Sequence, residues 1–118
     1  MGKPESPINL SDLLEIMDND DELLRECMDD FLNDFSEMLN QIRSAVDSCN
    51  WEDLEVTAHA MKGSLRYLAA GAAADFALKL ENIGKSGGTV GAEGINEHFT
   101  DLENECEQMR LFIRNYLA

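Results

Sequence analysis

The sequence is poor in basic residues: nine Lys and Arg stand against 24 Asp and Glu, a formal net charge of -15 over 118 residues. General nucleic-acid binding needs Lys and Arg to neutralise phosphate, so this deficit excludes it. It also argues against docking on anionic lipid. Long apolar runs are missing, none approaching the ~20 residues of a membrane span, so no membrane insertion is expected. Proline occurs twice, both times in the first seven residues, and β-branched residues are sparse. With little apolar alternation as well, strands are not expected. The opening Met1-Gly2-Lys3-Pro4-Glu5-Ser6-Pro7 has no apolar core of a secretory signal, and a cytoplasmic location is the expectation. Gly2 with Ser6 fits a myristoylation pattern loosely and reads better as a linker remnant. The three cysteines, Cys27, Cys49 and Cys106, are far apart and form no metal-binding spacing. They read as reduced thiols in a helical core.

What the chain does have is helical periodicity. Ser11 is placed to cap a short first helix carrying Leu13, Leu14, Ile16 and Met17. The acid run Asp18-Asn19-Asp20-Asp21-Glu22 closes that helix and opens the next. A stripe then runs Leu24, Met28, Phe31, Phe35, Met38, Ile42, Ala45, Cys49 at alternating intervals of four and three. Asn50 is placed to cap a third helix from Trp51, with Leu54, Ala58, Met61, Leu65 and Leu68 inward and Gly71 as its end. A fourth points Phe76, Leu80 and Ile83 inward. Residues 84 to 94 hold five of the eight glycines and read as a mobile loop. The last helix carries Ile95, Phe99, Leu102, Cys106, Met109, Ile113 and Tyr116. The expected fold is all-α: an antiparallel four-helix bundle with an additional short N-terminal helix. The expected organisation is a tail over 1–7 and one domain over 8–118. The four-three spacing leaves dimerisation open.

Three apparent motifs fail on spacing. Gly84-Lys85-Ser86 ends like a phosphate-binding loop, but Lys79 stands where its first glycine belongs and no strand precedes it. Asp18, Asp20 and Glu22 begin like a calcium loop, but Leu23 replaces the glycine and Asp29 the final Glu. A di-iron bundle needs Glu-x-x-His twice, and neither His59 nor His98 follows a Glu by three. His98 reads as structural or solvated, and Trp51 and Tyr67 as packing residues at the edges of the bundle.

The third helix is more specific. With Leu54 at zero and ~100° per residue, the inward residues cluster within about 40°. His59 falls near ~140°, Lys62 near ~80°, Gly63 near ~180° and Arg66 near ~120°. Histidine, lysine, glycine and arginine thus share one side at i, i+3, i+4 and i+7. A mid-helix glycine costs ~1 kcal/mol against alanine, a loss explained if another molecule must come close. Residues 56 to 92 carry Lys62, Arg66, Lys79 and Lys85 against Asp75 and Glu81. That cationic stretch in an anionic chain suits an anionic group arriving on another protein. A neutral imidazole is a nucleophile near pH 7, and a neighbouring cation offsets charge on a phosphoryl group in flight. The residues describe a phosphoryl acceptor and donor. A surface His beside a Lys on an ordinary solvated face is the competing reading.

Ala58-His59-Ala60-Met61-Lys62-Gly63-Ser64 resembles the signature of histidine-containing phosphotransfer (HPt) domains. Trp51-Glu52-Asp53-Leu54 and Leu80-Glu81-Asn82-Ile83-Gly84 are similar to that family too, and the resemblance spans about 8 to 117. It implies a helical bundle without kinase activity of its own, serving two-component signal transduction. His59 would take phosphate from the aspartate of a response-regulator receiver domain and pass it to another. Lys62 would neutralise the phosphoryl oxygens and Gly63 would let the receiver dock. Ser64 matches the family's small residue, which helps helix packing or holds the imidazole, and Arg66 stands at another commonly small position. Family members often carry a glycine where Ala69 stands, with Gly71 two residues on. The implied partners are receiver domains and a sensor (hybrid) histidine kinase. No cofactor is expected on this chain, and Mg2+ is expected on the receiver. The alternative is a helical interaction module that binds partners without phosphate.

Overall fold

The computed structural model describes residues 6–118. Most of the expected tail, Gly2 and its myristoylation or linker reading included, lies outside the described residues. Among the described residues there are five α-helices and no strand: α1 (Leu10–Ile16), α2 (Asp21–Ser48), α3 (Trp51–Tyr67), α4 (Gly71–Lys85) and α5 (Ile95–Leu117). A single 3-10 turn, Ala92–Gly94, leads into α5.

Three helix starts are fixed by side chains that take up free backbone N–H groups. Asp20 Oδ1 accepts from the Leu23 N–H at 3.1 Å, and Asn50 Oδ1 from the Asp53 N–H at 3.2 Å, the latter as expected. At α1 the cap is Asn9, accepting from the Asp12 N–H at 3.1 Å, and not Ser11. Asn9 holds the extended backbone a cap requires (φ -82°, ψ 96°), whereas Ser11 already lies in the first helical turn.

The α3–α4 junction corrects another expectation. Gly71 opens α4 and does not end α3. The stop is made by Ala69, left-handed at φ 57°, with the Ala69 N–H donating to Arg66 O at 3.0 Å and the Ala70 N–H to Leu65 O at 2.9 Å. These two bonds satisfy orphan carbonyls at the helix end in the arrangement glycine usually serves, here with an alanine. The Asn9 N–H donates to Ala69 O at 3.0 Å and ties the N-terminal segment to this turn.

The core is continuous from Ile8 to Ile113, and α2, α3, α4 and α5 form a closed ring of packed neighbours. The closest pairing is α3 on α4. Its inward residues on α4 are Ala73, Ala74, Ala77, Leu80 and Ile83, while Phe76, expected inward, is half-buried. Small side chains let the two helices approach, and Gly84 sets the limit. A Cβ there would lie 2.6 Å from Glu55 N and 2.8 Å from Trp51 O. Gly84 is therefore a buried residue of α4 and not the start of a loop. Beyond it, the Trp51 ring covers Gly88 (φ 78°), where any side chain would collide with the indole.

Three further expectations change. Only Cys106 is buried; Cys27 is half-buried, and Cys49 is an exposed left-handed residue (φ 54°) closing α2. Tyr67 is half exposed. Phe35 and Met38, in the middle of the α2 stripe, are only half-buried. Burial pushes the Cys106 thiol up to about 12, so it stays protonated and inert at neutral pH.

Candidate functional site

Backbone geometry on α3 sends Ala58, Met61 and Leu65 into the core and leaves His59, Gly63 and Arg66 in solvent. The His59 side chain is 67% exposed. Its Nδ1 lies 2.9 Å from Oε2 of Glu81, a residue of α4 that is 1% exposed. An ionised carboxylate can only accept, so the ring hydrogen belongs on Nδ1 and the lone pair stays on Nε2.

Glu81 organises this corner. Lys62 Nζ is 2.6 Å from its Oε1, an ion pair whose approach lies outside hydrogen-bond angles. Lys85, one turn along α4, brings Nζ to 3.5 Å from Oε2. Burial by itself would push the Glu81 carboxyl up. The contacts with Lys62 and His59 outweigh that and hold it below the ordinary carboxylate range. Glu81 is thus ionised at neutral pH, a buried negative charge matched by two ammonium groups and an imidazole N–H.

Lys62 is not the open neighbour of His59 that the helical wheel draws. Only 11% of its side chain is exposed, because α4 covers the flank of α3 on which it sits. Gly63 is exposed, one turn from His59, and a Cβ added there meets nothing within 4 Å. Nothing among the described residues asks for a glycine at that position. Ser64 is half-buried on the α2 side, lining an apolar groove with Phe31, Met38, Tyr67 and Leu68. Arg66 makes no ion pair with Glu81 and is exposed near the α3–α4 turn, where it lines a wide cavity together with Asn9, Asp12 and Asp75. The structure therefore gathers His59, Lys62 and Gly63 at one place, and sets Ser64 and Arg66 to either side.

An exposed imidazole with Nε2 free, Nδ1 anchored on a buried carboxylate and cations behind it is equipped to take an electrophilic group on Nε2. The family model for the Hpt domain matches residues 26–112, well over half of the chain. The chain belongs to the Hpt domain family. Hpt domains are the histidine phosphotransfer modules of phosphorelays and act as carriers of the phosphoryl group. The crystal structure of histidine-containing phosphotransfer protein B (HptB) from Pseudomonas aeruginosa PAO1 superposes with a TM-score of 0.84, covering 96% of each chain at 18% identity. That likeness establishes the fold. No curated protein matches the chain in sequence.

Within this Hpt domain the matched region contains α3 and α4 whole, and with them His59 and Glu81; α1 lies outside it. Among the described residues, no helix is long and apolar enough to cross a membrane, and no group of three or more His, Cys, Asp or Glu is placed to hold a metal ion. Sequence reasoning passed over Glu81 as a functional residue. A signal was present: Ala77, Glu81 and Gly84 follow at four and three, which puts a charge on the inward side of α4. A carboxylate in that register needs partners, and His59 and Lys62 supply them.

Proposed function

We propose that His59 is the phosphorylated residue, taking a phosphoryl group on Nε2 from a receiver-domain aspartate and passing it to another. The Nε2 lone pair attacks phosphorus while the bond from phosphorus to the aspartyl oxygen breaks, and that electron pair returns to the carboxylate. The product is an imidazolium bearing phosphate on Nε2 and hydrogen on Nδ1. No proton has to leave. Glu81 accepts the Nδ1–H, directs Nε2 outward and faces the positive charge that develops on the ring. The return step is the same reaction reversed onto a second aspartate.

Lys62 serves this site from beneath: its charge keeps Glu81 ionised and offsets the negative charge arriving with the phosphoryl group. Gly63 leaves the approach open to the receiver backbone, with Ser64 and Arg66 at the margin of the docking surface. The partners are response-regulator receiver domains, with a sensor (hybrid) histidine kinase upstream, and Mg2+ is carried by the receiver. The chain acts as a carrier without kinase activity in the cytoplasm. The closed ring of helix contacts and the short connections support reading residues 8–118 as one antiparallel four-helix bundle with α1 added.

The observation that carries this reading is the pairing of His59 Nδ1 with buried Glu81 while most of the ring stands in solvent. Incubation with phosphorylated receivers tests it. Acid-labile, alkali-stable phosphate should appear on His59 and be absent from His59→Gln. Transfer that survives His59→Gln would refute it. No transfer from any receiver, with receiver binding unmoved by His59→Gln, would establish the interaction module instead.

A further inference from the structure

The second lysine on Glu81 is in a different position from the first. Lys62 reaches Oε1, is almost entirely covered, and sits at 2.6 Å. Lys85 reaches Oε2, the same oxygen that His59 Nδ1 contacts, at a longer 3.5 Å and with 55% of its side chain exposed. A shallow cavity beside His59 is lined by Glu55, Val56, Glu81 and Lys85, and Lys62 is not among its walls.

From this we infer that Lys85 is the cation that contacts the phosphoryl group on His59, exchanging Glu81 for the phosphoryl oxygens when the group arrives. The inference rests on phosphotransfer through His59 and adds to it a residue outside the HPt-like motif around that histidine. Two physical arguments support it. If Lys62 left Glu81, it would strip a buried carboxylate of its shortest ionic contact, whereas Lys85 can leave while Lys62 and His59 still hold that charge. A lysine is also a compact charge on a flexible stem, able to swing between neighbouring anions. Glu55 on the cavity wall adds negative charge near an incoming phosphate, which makes a mobile cation there more valuable.

The test compares wild type, Lys85→Gln and Lys85→Arg, phosphorylated in two ways: by a phosphorylated receiver and chemically by phosphoramidate. In the chemical route Nε2 attacks phosphorus, the P–N bond of phosphoramidate breaks, and its electron pair leaves with ammonia. Lys85 is exposed, so circular dichroism should show all three equally folded. Transfer from the receiver should be roughly ten-fold slower in Lys85→Gln, less than for an enclosed oxyanion donor because water screens the open site. Lys85→Arg should recover most of the rate. The phosphorus NMR titration of the chemically phosphorylated protein should show the phosphoryl group protonating at higher pH in Lys85→Gln than in wild type, an effect a merely structural lysine would not produce. An unchanged rate and an unchanged titration would overturn the role of Lys85 while leaving the phosphotransfer reading intact. A wild-type protein that takes phosphate on His59 from neither donor would overturn both.

Discussion

Two glycines on neighbouring helices separate what the fold needs from what the fold leaves free. Gly84 lies in the α3–α4 seam, where a single added carbon would fall within 2.9 Å of three backbone atoms of α3. Gly63 lies on the open side of α3, one turn from His59, where the same carbon would touch nothing. The seam is a constraint of packing. The open side carries a residue that costs helix stability with no return among the described residues, a cost the proposed docking of a receiver would explain. Glu81 joins the two regions: its backbone belongs to the seam, and its carboxylate reaches the histidine.

Substitutions can break this contrast in order of size. Glu81→Ala should cost most, about 3 kcal/mol by denaturant unfolding, because it leaves Lys62 covered and unpaired. The figure sits low in the range for broken buried pairs because the lysine stem can slide its head toward water. Gly84→Ala should cost about 2 kcal/mol, since backbone atoms cannot yield as a side chain can. If Gly84→Ala proved neutral, the seam would be looser than described and the contrast would fail. Gly63→Gln should do the opposite, raising stability by roughly 0.8 kcal/mol while weakening receiver binding about ten-fold, as read by calorimetry. Binding unaffected by that side chain would mean the receiver docks elsewhere. The smallest effect is expected at Ala69→Gly, a gain of about 0.5 kcal/mol as the left-handed turn loses its Cβ strain.

Acid should separate the same regions. Glu81 titrates below its ordinary value of 4.5 in the folded chain, so it binds protons more weakly there than when unfolded. Its stabilising contribution is complete above that ordinary value and is lost as pH falls through the lowered one. The stability gap between wild type and Glu81→Gln should therefore narrow on acidification below about 4.5, whereas the Gly84→Ala gap should not. Parallel loss in both variants would contradict the ion-pair account.

Much of this was legible in the residues. The four-three stripes announce α2, α3 and α5, Asn50 marks the start of α3, and His59 with Gly63 stands out on the wheel. The misplaced boundary at Gly71 has a physical cause: Ala69 pays a steric cost that sequence reasoning assigns to glycine, so the stop lies two residues earlier than the nearest glycine. The burial of Lys62 was hidden because a wheel drawn for one helix does not show which flank a neighbour covers. Glu81 was hidden for the same reason. A carboxylate on an inward register signals a buried partner, but only the α3–α4 packing says that the partners are His59 and Lys62.

The most direct test of the central claim is a long-range nitrogen–proton NMR correlation of the His59 ring, recorded before and after phosphorylation. Before phosphorylation the hydrogen should sit on Nδ1 with Nε2 bare, and afterwards phosphorus should be coupled to Nε2 with the Nδ1 hydrogen retained against Glu81. Phosphorus on Nδ1, or a free ring whose hydrogen rests on Nε2 at neutral pH, would contradict it.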